Sequence, residues 1–144
     1  MKLRKRSVAV VVRRAAGDPG FLVVRRPDDP GDPLAGLWGL PAVTLGPDED
    51  ELAAVARVGR DKLGVTLTPL ARIGERTADR EGGRLRLADY EAVLADGEPA
   101  VPQPDESVTQ YTACRFTADP AVLAAAAGRG SLCAQIFLAA GEAR

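Results

Sequence analysis

The stretch from Gly36 to Val65, GLWGLPAVTLGPDEDELAAVARVGRDKLGV, contains the clearest helix pattern of the chain. Asp48 is predicted as the N-cap residue, because a side-chain oxygen there accepts a free amide of the first turn. The helix is predicted over residues 49–63, and Gly64 is predicted to end it in the left-handed conformation. Apolar residues at spacings of three and four form its predicted buried stripe: Leu52, Val55, Ala56 and Gly59.

Strand patterns lie on both sides of this helix. They predict strands over residues 8–14, 21–26, 40–45, 84–94 and 108–117, and one or two strands over residues 65–76. The first two are predicted to form a hairpin through the turn residues 17–20. Two short helices are predicted after the last strand, one capped by Asp119 and ending at Ala127, the other capped by Ser131 and ending at Ala140. This order predicts one domain over residues 1–144, an α/β (α+β) fold with a mixed central sheet and helices on both faces.

Composition excludes several kinds of chemistry. The chain has 144 residues, with 19 Lys+Arg, 20 Asp+Glu and no histidine, so neither a histidine base nor a histidine metal ligand is available. Two cysteines, Cys114 and Cys133, are too few for a Cys-only zinc site and are predicted to be small buried hydrophobes. Any metal must therefore bind oxygen ligands, which suit magnesium, calcium or manganese.

The sequence also limits the expected partners. No apolar segment approaches the about 20 residues that a membrane-spanning helix needs, so no membrane partner is expected. The net charge of −1 gives no drive toward nucleic acid. With few cysteines and no secretion signal, a cytoplasmic location is predicted.

The segment Gly36-Leu37-Trp38-Gly39-Leu40-Pro41, the acidic helix start and Lys62-Leu63-Gly64-Val65 together resemble the Nudix hydrolase family. The motif of that family is a glycine, five residues, a glutamate, seven residues, then Arg-Glu-apolar-any-Glu-Glu-any-Gly-apolar. Aligned without gaps, a degenerate form of it runs from Val43 to Val65. The resemblance implies an α/β/α sandwich, and an activity that cleaves a nucleoside diphosphate linked to another group with Mg²⁺ or Mn²⁺.

The match divides the motif into two halves. The fold-maintaining members are retained, and the resemblance implies that Glu49 and Arg57 hold the loop to the helix and that Gly64 ends the helix. The metal-binding glutamates of the helix are mostly replaced, by Val58, Asp61 and Lys62. This division indicates a Nudix-like fold whose usual metal site is altered.

The resemblance also assigns the remaining candidate site residues. Glu49 and Asp61 would hold the metal, and Asp61 with Glu106 would be catalytic. The predicted substrate-binding residues are Arg25, Arg26, Trp38 and Lys62.

Each assignment has a structural alternative. In the alternative for the predicted metal ligands, Glu49 only forms an ion pair with Arg57, and Asp61 is a solvated residue paired with Arg57 or Arg60. Trp38 packs in the core rather than stacking on a base, and Lys62 complements the helix C-terminus. Arg25, Arg26 and Glu106 are then solvated charges.

Two functions follow from these options. The first is a Nudix-type hydrolase with an activity weakened or lost through the altered metal site. The second is a non-catalytic Nudix-like domain that binds a nucleotide or a protein. Both take a nucleotide-type small molecule as the expected partner, and a homodimer is left open.

Overall fold

The computed structural model describes residues 3–102 and 111–142 of the chain. Its strands are β1 (Leu3–Arg13), β2 (Phe21–Arg25), β3 (Trp38–Gly39), β4 (Ala42–Thr44), β5 (Thr66–Arg80), β6 (Gly83–Asp96) and β7 (Ala113–Thr117). Its helices are α1 (Glu51–Arg57), a π-helical turn (Val58–Leu63), a 3-10 turn (Pro120–Leu123), α2 (Ala124–Gly128) and α3 (Leu132–Glu142).

The strands form two sheets. The larger has the order β4-β1-β6-β5, and the smaller has the order β3-β2-β7. In the larger sheet β1 runs parallel to β6, with Val8 opposite Ala88, while its other pairs are antiparallel. The apolar run Val8–Val12 in β1 is fully buried, as expected for a strand covered on both faces. The mixed sheet and flanking helices confirm the predicted α+β sandwich.

The predicted hairpin between the first two strands is wrong. β1 pairs with β4 and β6, whereas β2 pairs with β3 and β7. Because both edges of β1 are occupied by other strands, β2 has no free edge of β1 to pair with. The connecting loop is fixed by Arg13, whose guanidinium donates to the carbonyl oxygens of Asp18, Pro19 and Gly20 at 3.0–3.4 Å.

Two apolar cores lie on opposite faces of the larger sheet. The first joins alternate residues of β1 to α1 and the π-helical turn, with Val8, Val10 and Val12 facing Val55 and Val58. The second joins the other residues of β1 to α2 and α3, and it includes Ala9, Val11, Leu87, Ala126 and Ile136. The chain is therefore layered as helix, sheet and helices, with β2 contributing residues to both cores.

The helix start differs from the prediction by two residues. Asp50, not Asp48, is the N-cap, and its Oδ1 accepts the Ala53 amide at 2.7 Å. Glu49 stays outside the helix because its Oε1 accepts the amide of Gly46 at 3.1 Å. The later start and the π-helical turn also move the buried stripe: Leu52 is 54% exposed, and the buried residues are Ala54, Val55, Val58, Gly59 and Leu63.

Glycines shape the end of this helix. Gly64 has φ +68°, the left-handed conformation predicted for it. The Val65 amide donates to the carbonyl oxygen of Gly59 at 2.9 Å. A Cβ at Gly59 would lie 2.8 Å from Leu67 Cγ and 2.9 Å from the Val65 carbonyl oxygen, so only glycine allows the helix to approach β5 this closely.

The later elements agree with their predicted caps. The Asp119 carboxylate accepts the Ala121 amide at 3.0 Å, and Ser131 Oγ accepts the Ala134 amide at 3.4 Å. Of the strand predicted over residues 108–117, the structure describes residues 111–117, and the strand there, β7, begins at Ala113. Across residues 3–102 and 111–142, no helix combines the length and hydropathy required to span a bilayer.

Candidate ligand-binding cleft

A cleft of about 480 Å³ opens between β1, β3 and β4 on one side and the segment joining α2 to α3 on the other. This volume lies within the range of small-molecule sites in proteins. Its aromatic and apolar lining includes Trp38, Leu40, Leu87, Tyr111 and Leu132. The cleft is therefore large enough for a small ligand with an aromatic or apolar part.

Every charged residue that lines this cleft, within the described part of the chain, is a cation: Lys5, Arg26, Lys62 and Arg80. Arg80 donates to the carbonyl oxygens of Asp79 and Gly130, so no carboxylate in those contacts offsets its charge. Arg26 donates through Nε to Asp32 at 2.6 Å. A cleft lined by one sign of charge attracts ligands of the opposite sign.

Lys62 reaches the cleft from the π-helical turn. Its Nζ lies 5.9 Å from the ring centroid of Tyr111, a distance at which a cation is attracted to the ring face. Burial, followed by the nearby charge of Arg57, lowers the pKa of Lys62 from its ordinary value, while Asp61 opposes this effect. A partly desolvated ammonium is stabilised when an anion binds beside it.

Tyr111 fixes one wall of the cleft. Its hydroxyl accepts the Ala42 amide at 3.0 Å and lies 3.4 Å from the Ala42 carbonyl oxygen, where it can donate. Burial raises the pKa of the Tyr111 hydroxyl, so the group stays neutral and able to donate. This contact holds β4 beside the cleft.

Of the other predicted substrate-binding residues, some line the cleft and one does not. Trp38 lines the cleft, and the Arg115 guanidinium lies 4.6 Å from its ring centroid. Arg25 does not line the cleft: its Nε donates to the Gly36 carbonyl oxygen at 3.1 Å, and its Nη2 lies 3.6 Å from Asp28. The cleft is therefore lined by three of the predicted residues, Arg26, Trp38 and Lys62. Arg25 instead contacts the loop between β2 and β3, through Gly36 and Asp28.

Glu49 and Arg57 form the loop-to-helix ion pair that the resemblance implies. Arg57 donates to the two carboxylate oxygens of Glu49 at 2.8 and 2.9 Å, and it also donates to the Thr44 carbonyl oxygen at 2.7 Å. The hydrogen bond from Arg57, together with the one from Gly46, lowers the pKa of Glu49 to about 2. The Glu49 carboxylate is thus ionised, and both of its oxygens accept hydrogen bonds from the protein.

The residues at the altered motif positions do not converge. Val58 is fully buried in the first core, and Asp61 is half-exposed with Nε of Arg60 3.2 Å away. Lys62 lines the cleft. The three positions therefore lie in different surroundings, one in the core, one toward solvent and one in the cleft.

The side chains near the cleft do not meet the coordination needs of a magnesium ion. Mg²⁺ prefers one or two carboxylates with several water molecules in octahedral geometry. Among the residues that the structure describes, no three Asp, Glu or Cys side chains are grouped so that they could hold a metal. Because Glu49 is engaged by Arg57 and Lys62 places a cation at the cleft, these residues do not fit the ion. Glu106 lies outside the described residues.

The sequence patterns did not indicate two cations of the cleft, Lys5 and Arg80, or the tyrosine in its wall, Tyr111. Lys5 lies in the basic segment before the first predicted strand, and Arg80 lies at the end of β5 beside the turn to β6. Nothing in the local pattern of either residue indicates a cleft. They reach it because β1 and the β5–β6 turn meet the α2–α3 segment, where Arg80 contacts Gly130.

Comparison with known proteins agrees with this architecture. A NUDIX hydrolase from Nitrosomonas europaea matches with a TM-score of 0.73 at 16% identity, over 96% of this chain and 88% of that chain. A MutT NUDIX hydrolase from Burkholderia pseudomallei matches with a TM-score of 0.64 at 25% identity, over 79% and 82%. An ADP-ribose pyrophosphatase from Streptococcus suis matches with a TM-score of 0.55 at 18% identity, over 78% and 72%.

No curated protein matches the chain. The family model for the NUDIX domain, however, matches residues 3–129, which include every strand and the motif helix. Together with the two-sheet sandwich and the ion pair that joins the motif loop to its helix, this match shows that the chain belongs to the Nudix family.

Proposed function

We propose that the cleft binds a nucleotide-type phosphorylated small molecule, with its negative charge met by side-chain cations rather than by a divalent metal. The observation that carries this proposal is the charge of the cleft lining, which among the described residues consists of lysines and arginines. A phosphate group fits such a lining, because ammonium and guanidinium groups form charge-assisted hydrogen bonds with its oxygens.

Lys62 is the central residue of the proposal. It occupies the position at which the family motif has a glutamate, so a metal-binding carboxylate is exchanged for a cation. Its pKa is lowered by burial, and a bound phosphate would favour the charged form again. Ligand binding should therefore take up protons at alkaline pH and weaken as Lys62 deprotonates.

The aromatic side chains supply the second part of the site. Trp38 and Tyr111 line the same cleft as Lys62, so a flat base and a phosphate could be held together. Arg115 already covers Trp38 at 4.6 Å, and a base there would contact an edge or the remaining face.

Calorimetry with ADP and ADP-ribose, each in EDTA and in MgCl₂, tests the proposal. Binding should occur in EDTA, and Lys62→Gln should weaken it by about tenfold or more, as expected for the loss of one charge-assisted contact. Arg60→Gln is the matched control, because this exposed cation lies two residues away and does not line the cleft. Binding that requires Mg²⁺, or equal affinities for the wild type and Lys62→Gln, would contradict the proposal.

Metal-dependent hydrolysis is the second candidate, and family membership favours it. In that case Glu49 and Asp61 would hold Mg²⁺ or Mn²⁺, and Asp61 with Glu106 would act in catalysis, as the resemblance implies. Formation of AMP and ribose 5-phosphate from ADP-ribose, present in the wild type with either metal and lost in Asp61→Asn and Glu106→Gln, would support this candidate. The absence of turnover in the wild type with both metals would exclude it for that substrate.

A further inference from the structure

A carboxyl group is buried on the face of the larger sheet that α3 covers. Asp89 lies in the middle of β6 and its exposure is 0%. Neither of its carboxyl oxygens has a hydrogen-bond partner in the part of the chain that the structure describes. A buried polar group without a partner destabilises a fold, and an apolar residue here would pack without that cost.

The neighbours of Asp89 explain its isolation. The residues beside it on the adjacent strands are Ala9 in β1 and Gly74 in β5, the two smallest side chains available. Above them lies α3: a Cβ at Gly74 would touch Ile136 at 3.4 Å, and Cys133 is close enough for its thiol to be affected by the charge of Asp89. The carboxyl group is thus enclosed between the sheet and α3.

The charged groups on this face lie at its margins. From β5, Arg76 donates to Gln135 of α3 at 2.9 Å and is exposed. From β1, Arg13 donates to Glu91 of β6 at 2.7 Å. On α3 itself the titratable neighbour is Cys133, and burial together with the Asp89 charge raises the pKa of its thiol. Burial alone raises the pKa of Asp89, to about 9.

The same helix segment forms part of the cleft. Leu132 and Cys133, at the start of α3, both line the cleft, and Ser131 Oγ lies 3.3 Å from Cys133 Sγ. Any movement of α3 away from the sheet would therefore displace one wall of the cleft.

We propose that Asp89 is a pH-sensitive contact beneath α3: while protonated it leaves α3 packed on the sheet, and when ionised it releases α3, which opens the cleft wall. The protonated carboxyl is tolerated beneath α3, whereas a carboxylate would be buried there without a hydrogen-bond donor or a paired cation among the described residues. The effect on ligand binding rests on the proposed function of the cleft, but the movement of α3 does not.

The direction of the pH effect follows from proton binding. In the unfolded chain the carboxyl titrates near its ordinary value of 3.8, so above that pH the folded chain holds a proton that the unfolded chain has released. Raising the pH toward 9 therefore favours the unfolded or locally opened state, by about tenfold per pH unit. Below pH 4 this difference disappears.

The test compares the wild type with Asp89→Asn, both in a Cys114→Ser background so that Cys133 is the single thiol. Urea denaturation and the rate of maleimide labelling of Cys133 are measured from pH 5 to 9. Relative to Asp89→Asn, the wild type should lose about tenfold in its folded-to-unfolded ratio per pH unit and should show faster labelling of Cys133 as the pH rises. Equal pH profiles in the two proteins would overturn the proposal.

Asp89→Leu provides a second non-titrating variant, so the comparison does not depend on the folding of one substitution. ADP binding is measured over the same pH range. Loss of affinity at alkaline pH in the wild type, but not in the variants, supports the coupling to the cleft. If labelling follows the expected pattern but ADP does not bind at any pH, the pH-sensitive contact stands and the proposed function fails.

Discussion

The ion pair between Glu49 and Arg57 gives the sharpest prediction, because its contribution to stability can be worked out from its geometry. A shift of the Glu49 pKa from 4.5 to about 2 corresponds to about 3 kcal/mol of folding free energy as an upper limit. The side chain is 20% exposed, so solvent screens only part of this interaction. Glu49→Gln, which keeps the shape but removes the charge, should cost between about 1 and 3 kcal/mol at pH 7.

The pH dependence provides the discriminating measurement. Because the folded-state pKa of Glu49 is depressed, its contribution is fully present above pH 4.5 and is lost as the pH falls toward 2. Urea denaturation of the wild type between pH 7 and pH 2 should show this additional loss, and Glu49→Gln should lack it. Asp48→Asn is the matched control, since Asp48 is an exposed neighbouring acid.

Two results would refute the reasoning. Parallel acid profiles for the wild type and Glu49→Gln would show that the ion pair does not stabilise the fold. A melting temperature raised by MgCl₂ in the wild type but not in Glu49→Gln would show instead that Glu49 is a metal ligand.

Three further substitutions have expected outcomes that denaturation can measure. Gly59→Ala should destabilise the chain by about 1–3 kcal/mol, because its Cβ would lie 2.8 Å from Leu67 Cγ, and an unchanged denaturation midpoint would contradict this close packing. Asp50→Ala should cost about 1 kcal/mol through the lost bond to the Ala53 amide, and a loss of equal size in Asp48→Ala would argue against the assigned cap. Val58→Glu, which restores the residue of the family motif, should lower the melting temperature because that position is fully buried; an unchanged melting temperature would show that the site can be solvated.

Local patterns in the sequence were sufficient for most elements. The strand segments, the motif helix and the two later caps depend on residues close together in the chain, and those signals are read correctly within a few residues. Gly64 was a good signal for the helix end, because glycine adopts the left-handed conformation at little steric cost. The order of elements together with the motif also identified the family.

Local sequence patterns did not predict the arrangement of the motif residues correctly. Spacing suggested that positions 58, 61 and 62 share one helix face, but Val58 is buried in the core, Asp61 is half-exposed and Lys62 lines the cleft. The cap moved from Asp48 to Asp50 because Arg57 and Gly46 hold Glu49 in the preceding loop, an arrangement that spans the whole motif.

By itself, the sequence determined which segments become strands and helices and which family they belong to, because hydrophobic periodicity and capping act over a few residues. The tertiary structure alone decided that β1 and β2 lie in different sheets, that cations gather around one cleft, and that Asp89 is enclosed beneath α3. Each of these features depends on groups that meet only after distant strands have paired. Burial and charge environment are properties of that assembled packing.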